Sequence, residues 1–240
     1  MMTHSVAEEK KPDPEKAAWR PAGSSPLMVE QLKTAAASVK SAVEMHYFGS
    51  GANPTASLDG LHLCQMVRDA GPSMTLKVFD AEGDKDECQR QGVLFFPATL
   101  LNGLNSGGLR LLGAFTGWEL RILSEAILLA AGAGTGLSAR TAQTICSLQR
   151  PLALKVFVSP ESEFCVRPAL LALRMAALSG HIGAEIVNSA DFPVMSERYR
   201  VENTPRTVAN DTVMFDGAPG EAHFMELVMG ALVPQGGIYR

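Results

Sequence analysis

Apolar positions along this chain change period repeatedly, and each change predicts an element. "SPLMVEQLKTAAASVKS" sets Leu27, Leu32, Ala36 and Val39 at helical spacing behind Ser25 and a proline, the pattern of a capped amphipathic helix. A strand, "AVEMHYF", a Gly/Asn/Pro loop, "GSGANPTAS", and a helix, "LDGLHLCQMVRDA", come next. They are followed by a strand, "MTLKVFD", and a short polar helix near "DKDECQRQ". "GVLFFPATLLNG" and "LRLLGAF" predict two further strands after a proline, and "GWELRILSEAILLAA" a strongly apolar helix.

The second half runs in the same order. "LSARTAQTICSLQ" reads as a helix, and "LALKVFVS" as a central strand buried on both faces. "EFCVRPALLALRMAALSG" predicts a helix closed by a glycine cap, "AEIVNSAD" a strand and "FPVMSERYR" a short helix. "VENTPRTVAND", "DTVMFDG" and "EAHFMELVMGAL" complete the set. Two halves on one plan imply a duplication. Pro97-Ala98-Thr99 corresponds to Pro205-Arg206-Thr207, and "GAFTGWE" from Gly113 to "GAPGEAH" from Gly217. The two "LKVF" strings fall on different strands in that register.

Composition narrows the class. The chain has 240 residues, 46% of them apolar and 19% charged, enough for two small cores and ordinary for a globular protein. No apolar run is long enough for a membrane span. The opening stretch lacks the layout of a secretory signal, so the expected compartment is the cytoplasm. A net charge of −4 and scattered Lys and Arg argue against nucleic acid as a partner. The four cysteines and five histidines stand singly, without C-x-x-C or H-x3-5-H, so no metal site and no cofactor is expected. Residues 1–26 carry four prolines and alternating charge and are expected to form a flexible tail. Trp19 in that tail is either incidental or an anchor. The expected division is domain 1 over 27–133, domain 2 over 134–233, and a short tail over 234–240.

The order strand, loop, helix, strand, helix, then Pro-x-Thr before a hairpin and a last helix, resembles the thioredoxin fold. In tandem, and through "LLGAFTGWELRILSEAI", "LALKVFVSPESEFCVRPALLALRMA" and "RYRVENTPRTV", the chain resembles two groups. One is the glutaredoxin-like protein disulfide oxidoreductases; the other is the N-terminal module of the flavoprotein subunit of alkyl hydroperoxide reductase. The resemblance covers about residues 27–232. It implies an α/β fold class, two thioredoxin-like folds each with a central mixed sheet flanked by helices. It also implies cis-prolines at Pro97 and Pro205, whose preceding residues, Phe96 and Thr204, would offer backbone groups to an extended peptide. A trans-proline opening an edge strand is the alternative.

The active loop departs from the family pattern. Its C-x-x-C falls on Ser162-Glu163-Phe164-Cys165, so the attacking cysteine is a serine. A thiol at a helix N-terminus is readily ionised; a hydroxyl needs a dedicated base, and none stands nearby in sequence. Serine does cap helices well, so the exchange would keep the helix and remove the chemistry. Cys165 then reads as an inert core residue, a reactive thiol, or half of a disulfide with Cys146 or Cys88. The first half's loop has no cysteine, and Cys64 lies on the apolar side of the next helix, a small hydrophobe. "GSGANP" lacks the residues of a phosphate loop and reads as a turn. His46, His62, His181 and His223 read as packed or surface residues, and Asp84, Asp86, Glu161 and Glu163 as helix-start charges.

The function expected from these features is a redox-inactive or impaired accessory subunit. It would bind another protein, such as a member of a redox or peroxide-reducing complex, or another copy of itself. The alternative is a thiol-disulfide oxidoreductase working through Cys165 alone.

Overall fold

The computed structural model describes residues 19–233 apart from Ser106. The first half runs α1 (Pro26–Ser38), β1 (Val43–Gly49), α2 (Pro54–Ala70), β2 (Met74–Asp80), α3 (Lys85–Gln91), β3 (Ala98–Asn102), β4 (Leu109–Leu112) and α4 (Glu119–Ala130). The second repeats it with α5 (Ala139–Cys146), β5 (Leu152–Val158), α6 (Val166–Leu178), β6 (Ile182–Asn188), α7 (Pro193–Arg198), β7 (Arg206–Ala209), β8 (Val213–Asp216) and α8 (Glu221–Met229). Each half contributes four strands with one topology. The halves do not keep separate sheets: β4 pairs in parallel with β6, giving one eight-stranded sheet in the order β2-β1-β3-β4-β6-β5-β7-β8. Nothing in the apolar pattern signals that seam.

Local chemistry sets the helix starts. Ser25 accepts from the Met28 amide at the head of α1, and Pro26 occupies the first turn, where its missing N–H costs nothing. Asn53 with Pro54 does the same for α2, which therefore begins four residues before the predicted Leu58. The expected glycine cap on α6 is not formed. The helix ends in extended backbone at Ser179, whose amide bonds to the Ala176 carbonyl.

The sheet faces differ. One is covered by α1, α2, α4, α5, α6 and α8, whose apolar residues form one continuous core reaching across both halves. The other carries only α3 and α7 over a smaller cluster around Phe48, Phe157, Phe192 and Tyr199. On this thinner side a charged row crosses the seam. Glu185 faces Arg110 and Lys155 at 4.0 and 3.5 Å, and Lys155 also reaches Asp211 at 3.7 Å. Lys155 accordingly leaves β5 less completely apolar than a strand buried on both faces, and Ala153 is exposed.

Residues 19–25 lie against the body. The Trp19 indole N–H donates to Asp59 at 3.1 Å, its ring packs 5.3 Å from His62, and Ser24 Oγ accepts from the Gly117 amide at 2.7 Å. The expected tail thus has its last residues placed on α2 and the loop before α4, while residues 1–18 and 234–240 fall outside those described.

Candidate functional site

The pairing directions place the chemistry. Strands β1, β4, β5 and β6 run the same way, and β3 and β7 run against them. The loops leaving β1, β4, β5 and β6, and those entering β3 and β7, therefore share one end of the sheet. The loop leaving β1, the loop leaving β5 with Ser162–Cys165, and both proline loops meet there.

Phe96–Pro97 and Thr204–Pro205 are cis, with both prolines buried and Phe96 and Thr204 half-buried. In each half a left-handed glycine follows the hairpin and donates back to the proline carbonyl. Gly113 (φ 111°) bonds to Pro97 and Gly217 (φ 88°) to Pro205, each at 2.9 Å. A Cβ at Gly113 would sit 2.7 Å from both Asn188 Cβ and Asp191 Oδ2, so the position needs glycine for space as well as for φ.

In the second half Ser162 precedes a 3-10 turn, Glu163–Cys165, that leads into α6. Its side chain makes no capping bond, contrary to expectation, and its carbonyl accepts from the Cys165 amide at 3.2 Å. The tighter turn explains this: the orphan amide that Ser162 would have capped is satisfied by backbone. Cys165 is the third and last residue of that turn and stands directly before α6. It is 1% exposed, and its sulfur accepts from the Ser159 amide at 3.5 Å. Phe164, in contrast, is 74% exposed. All four cysteines are free thiols, and only Cys146 is exposed. Cys64 lies buried against Thr99, and burial pushes its thiol up to about 11.

Three polar residues that sequence reading passed over lie beside these loops. Glu119, at the head of α4, is fully buried; its Oε2 accepts from the Thr116 amide at 3.0 Å and from Asn188 Nδ2 at 3.2 Å. Glu119 Oε1 has no hydrogen-bond partner among the described residues. Burial is the main cause that pushes its carboxyl up to about 8, against the opposing Thr116 amide and with Asp191 and Glu161 adding repulsion. Asp191 is raised as well, mainly by burial, although its Oδ2 accepts from the Ala114 amide at 2.7 Å. The loop that precedes Glu119 meets the loop leaving β5 directly, the Trp118 amide donating to the Pro160 carbonyl at 2.9 Å. A signal was available: Glu119 shares a helix face with Ile122, Leu123, Ala126 and Ile127, all buried.

On the thin face, a cleft of about 430 Å³ opens between Leu94-Phe95, just before Pro97, and α7, with Phe192, Val194, Arg198 and Tyr199 among its walls. Among the described residues no group of histidines, cysteines and carboxylates converges on a metal position, and no helix is long and apolar enough to cross a membrane.

The sequence of residues 152–229 matches the family described as thioredoxin domain. Among solved structures, a protein disulfide oxidoreductase from Aeropyrum pernix superposes with a TM-score of 0.76 at 24% identity, over 87% of this chain and 94% of that one. Both halves have a thioredoxin-like fold. The alkylhydroperoxide reductase protein AhpF from Enterococcus faecalis superposes with a TM-score of 0.75 at 20% identity, covering 84% of this chain and 97% of the other. The fold is therefore shared with the two groups that the sequence resembles. No curated protein matches the chain in sequence.

Proposed function

We propose that this tandem thioredoxin-like chain is a redox-silent accessory subunit that binds another protein. The observation that carries this reading is the active loop, where a serine stands in place of the attacking sulfur and the remaining thiol, Cys165, is 1% exposed. Disulfide exchange requires a thiolate to reach the substrate sulfur and form a mixed disulfide, a bond that a serine oxygen cannot make. The buried prolines and the loops around them are kept, so the surface on which a relative would grip an extended chain has lost its chemistry but not its shape.

The partner belongs, on this reading, to a redox or peroxide-reducing assembly, an inference drawn from the similarity to AhpF. The reading places the chain in the cytoplasm, with the two units meeting near residue 133 and no metal or cofactor.

Insulin reduction with dithiothreitol as electron donor tests it. The natural chain is expected to give the background rate and Ser162→Cys a rate well above it. Reduction by the natural chain at the rate of a two-cysteine oxidoreductase, abolished by Cys165→Ser, would establish the single-thiol enzyme instead.

A further inference from the structure

A second cleft, on the thicker helical face, adjoins the altered loop. About 570 Å³ in volume, it is bounded by Arg121 at the start of α4, Glu163 and Phe164 of the 3-10 turn, and Arg167 and Arg174 of α6. Its floor includes Val166 and Leu171, 7% and 6% exposed. We infer that this cleft is the docking site for an acidic, extended segment of a partner protein carrying an apolar side chain between its carboxylates. The inference rests on the protein-binding reading above and gives that partner a chemistry.

Charge is the first argument. Arg174 is held by Glu125 through two hydrogen bonds of 2.9 and 2.7 Å. Arg121 and Arg167 have no carboxylate within ion-pairing distance among the described residues, and Arg167 is steadied only by the Ala218 carbonyl at 3.3 Å. Glu163 is the one acid lining the cleft, against the guanidiniums of Arg121 and Arg167, which no carboxylate pairs among the described residues. In a chain of net charge −4, such a local excess of planar, bidentate donors selects carboxylates.

Dimensions argue for a chain over a small anion. The two unpaired arginines come from different helices, Arg121 from α4 and Arg167 from α6, and line a cleft of about 570 Å³. One carboxylate cannot fill that space, whereas an extended segment of a few residues can. The third argument is Phe164, 74% exposed beside an apolar floor. An aromatic ring left in water next to unpaired arginines matches the makeup of interface hot spots.

The test pans a random-peptide library displayed on phage against the immobilised full-length chain, then measures selected peptides, fluorescein-labelled, by anisotropy. Enriched peptides are expected to carry two or more Asp or Glu flanking an apolar residue. Their affinity should fall about tenfold or more in R121E/R167E, fall in Phe164→Ala, and weaken with added salt. Both arginines are exposed, so the variant should fold, which its circular dichroism checks. Acidic peptides that bind R121E/R167E equally well, or that millimolar glutathione or inorganic phosphate displaces completely, would overturn the inference. If the enriched peptides have no acidic bias but lose binding on Pro205→Ala, the cleft is excluded while the accessory-subunit reading stands. If nothing is enriched, both fall.

Discussion

Cys165 and Cys146 sit on opposite sides of the question of reactivity. A thiol must reach solvent to meet an alkylating reagent or a disulfide, and of the four only Cys146 does. Ellman's reagent should therefore titrate one thiol rapidly in the native chain and all four in denaturant, with Cys146→Ser removing the fast phase. A fast phase that persists in that variant and is lost with Cys165→Ser would mean the altered loop opens. Glu119 poses the second problem. Its carboxyl is raised from 4.5 to about 8, so the folded chain holds a proton that the unfolded chain releases. The stability this lends is complete below pH 4.5 and is lost as pH rises through about 8. Glu119→Gln keeps the neutral form at every pH. Between pH 5 and 8.5 the variant should gain on the natural chain by on the order of 3 kcal/mol, read from urea midpoints at each pH. Parallel stability profiles would show that Glu119 ionises normally.

The hairpin joining β3 to β4 is held against α6 and β6 at Gly107. A Cβ there would meet the carbonyls of Ile182, Ala176 and Ser179 at 2.2, 2.4 and 2.6 Å. None of these is a flexible side chain that could move aside. Gly107→Ala should therefore destabilise by about 1–3 kcal/mol or more by overpacking, seen as a lower urea midpoint. Elements of this kind divide into those readable from sequence and those not. The strands of both halves follow from runs of alternating or continuous apolar residues, and α1 from Ser25 and Pro26. The start of α2 at Pro54 carried the same signal in Asn53 and Pro54, and reading that stretch as loop passed over it, whereas the 3-10 turn at Glu163 was missed because it depends on where backbone amides find partners. The apolar period continues through such turns unchanged.

The joined sheet gives the two halves one sheet and one main core. Leu109 and Leu111 of β4 and Ala184 and Ile186 of β6 pair at the seam, and all four belong to the core that spans both halves. Far-ultraviolet dichroism and tryptophan fluorescence should consequently report one coincident unfolding transition. Two separated transitions would mean that the seam contributes little. Leu111→Ala, at 2% exposure beside Ile186, should lower that single transition by about 2–5 kcal/mol.

Local order along the chain was enough to specify the twofold plan, the strands, the prolines at Pro97 and Pro205 and the serine at 162. Each depends on residue type and near-neighbour spacing, which a linear text records. The pairing of β4 with β6, the cluster of Glu119, Asn188 and Asp191, and the arginine cleft beside Phe164 arose only on folding. Asn188 and Asp191 stand 69 and 77 residues from Glu119 and Ala114, the groups they bond to, and no period links them. Burial, which raises the Glu119 carboxyl and shields Cys165, is a property of what surrounds a side chain, and those surroundings exist only once both halves have closed on each other.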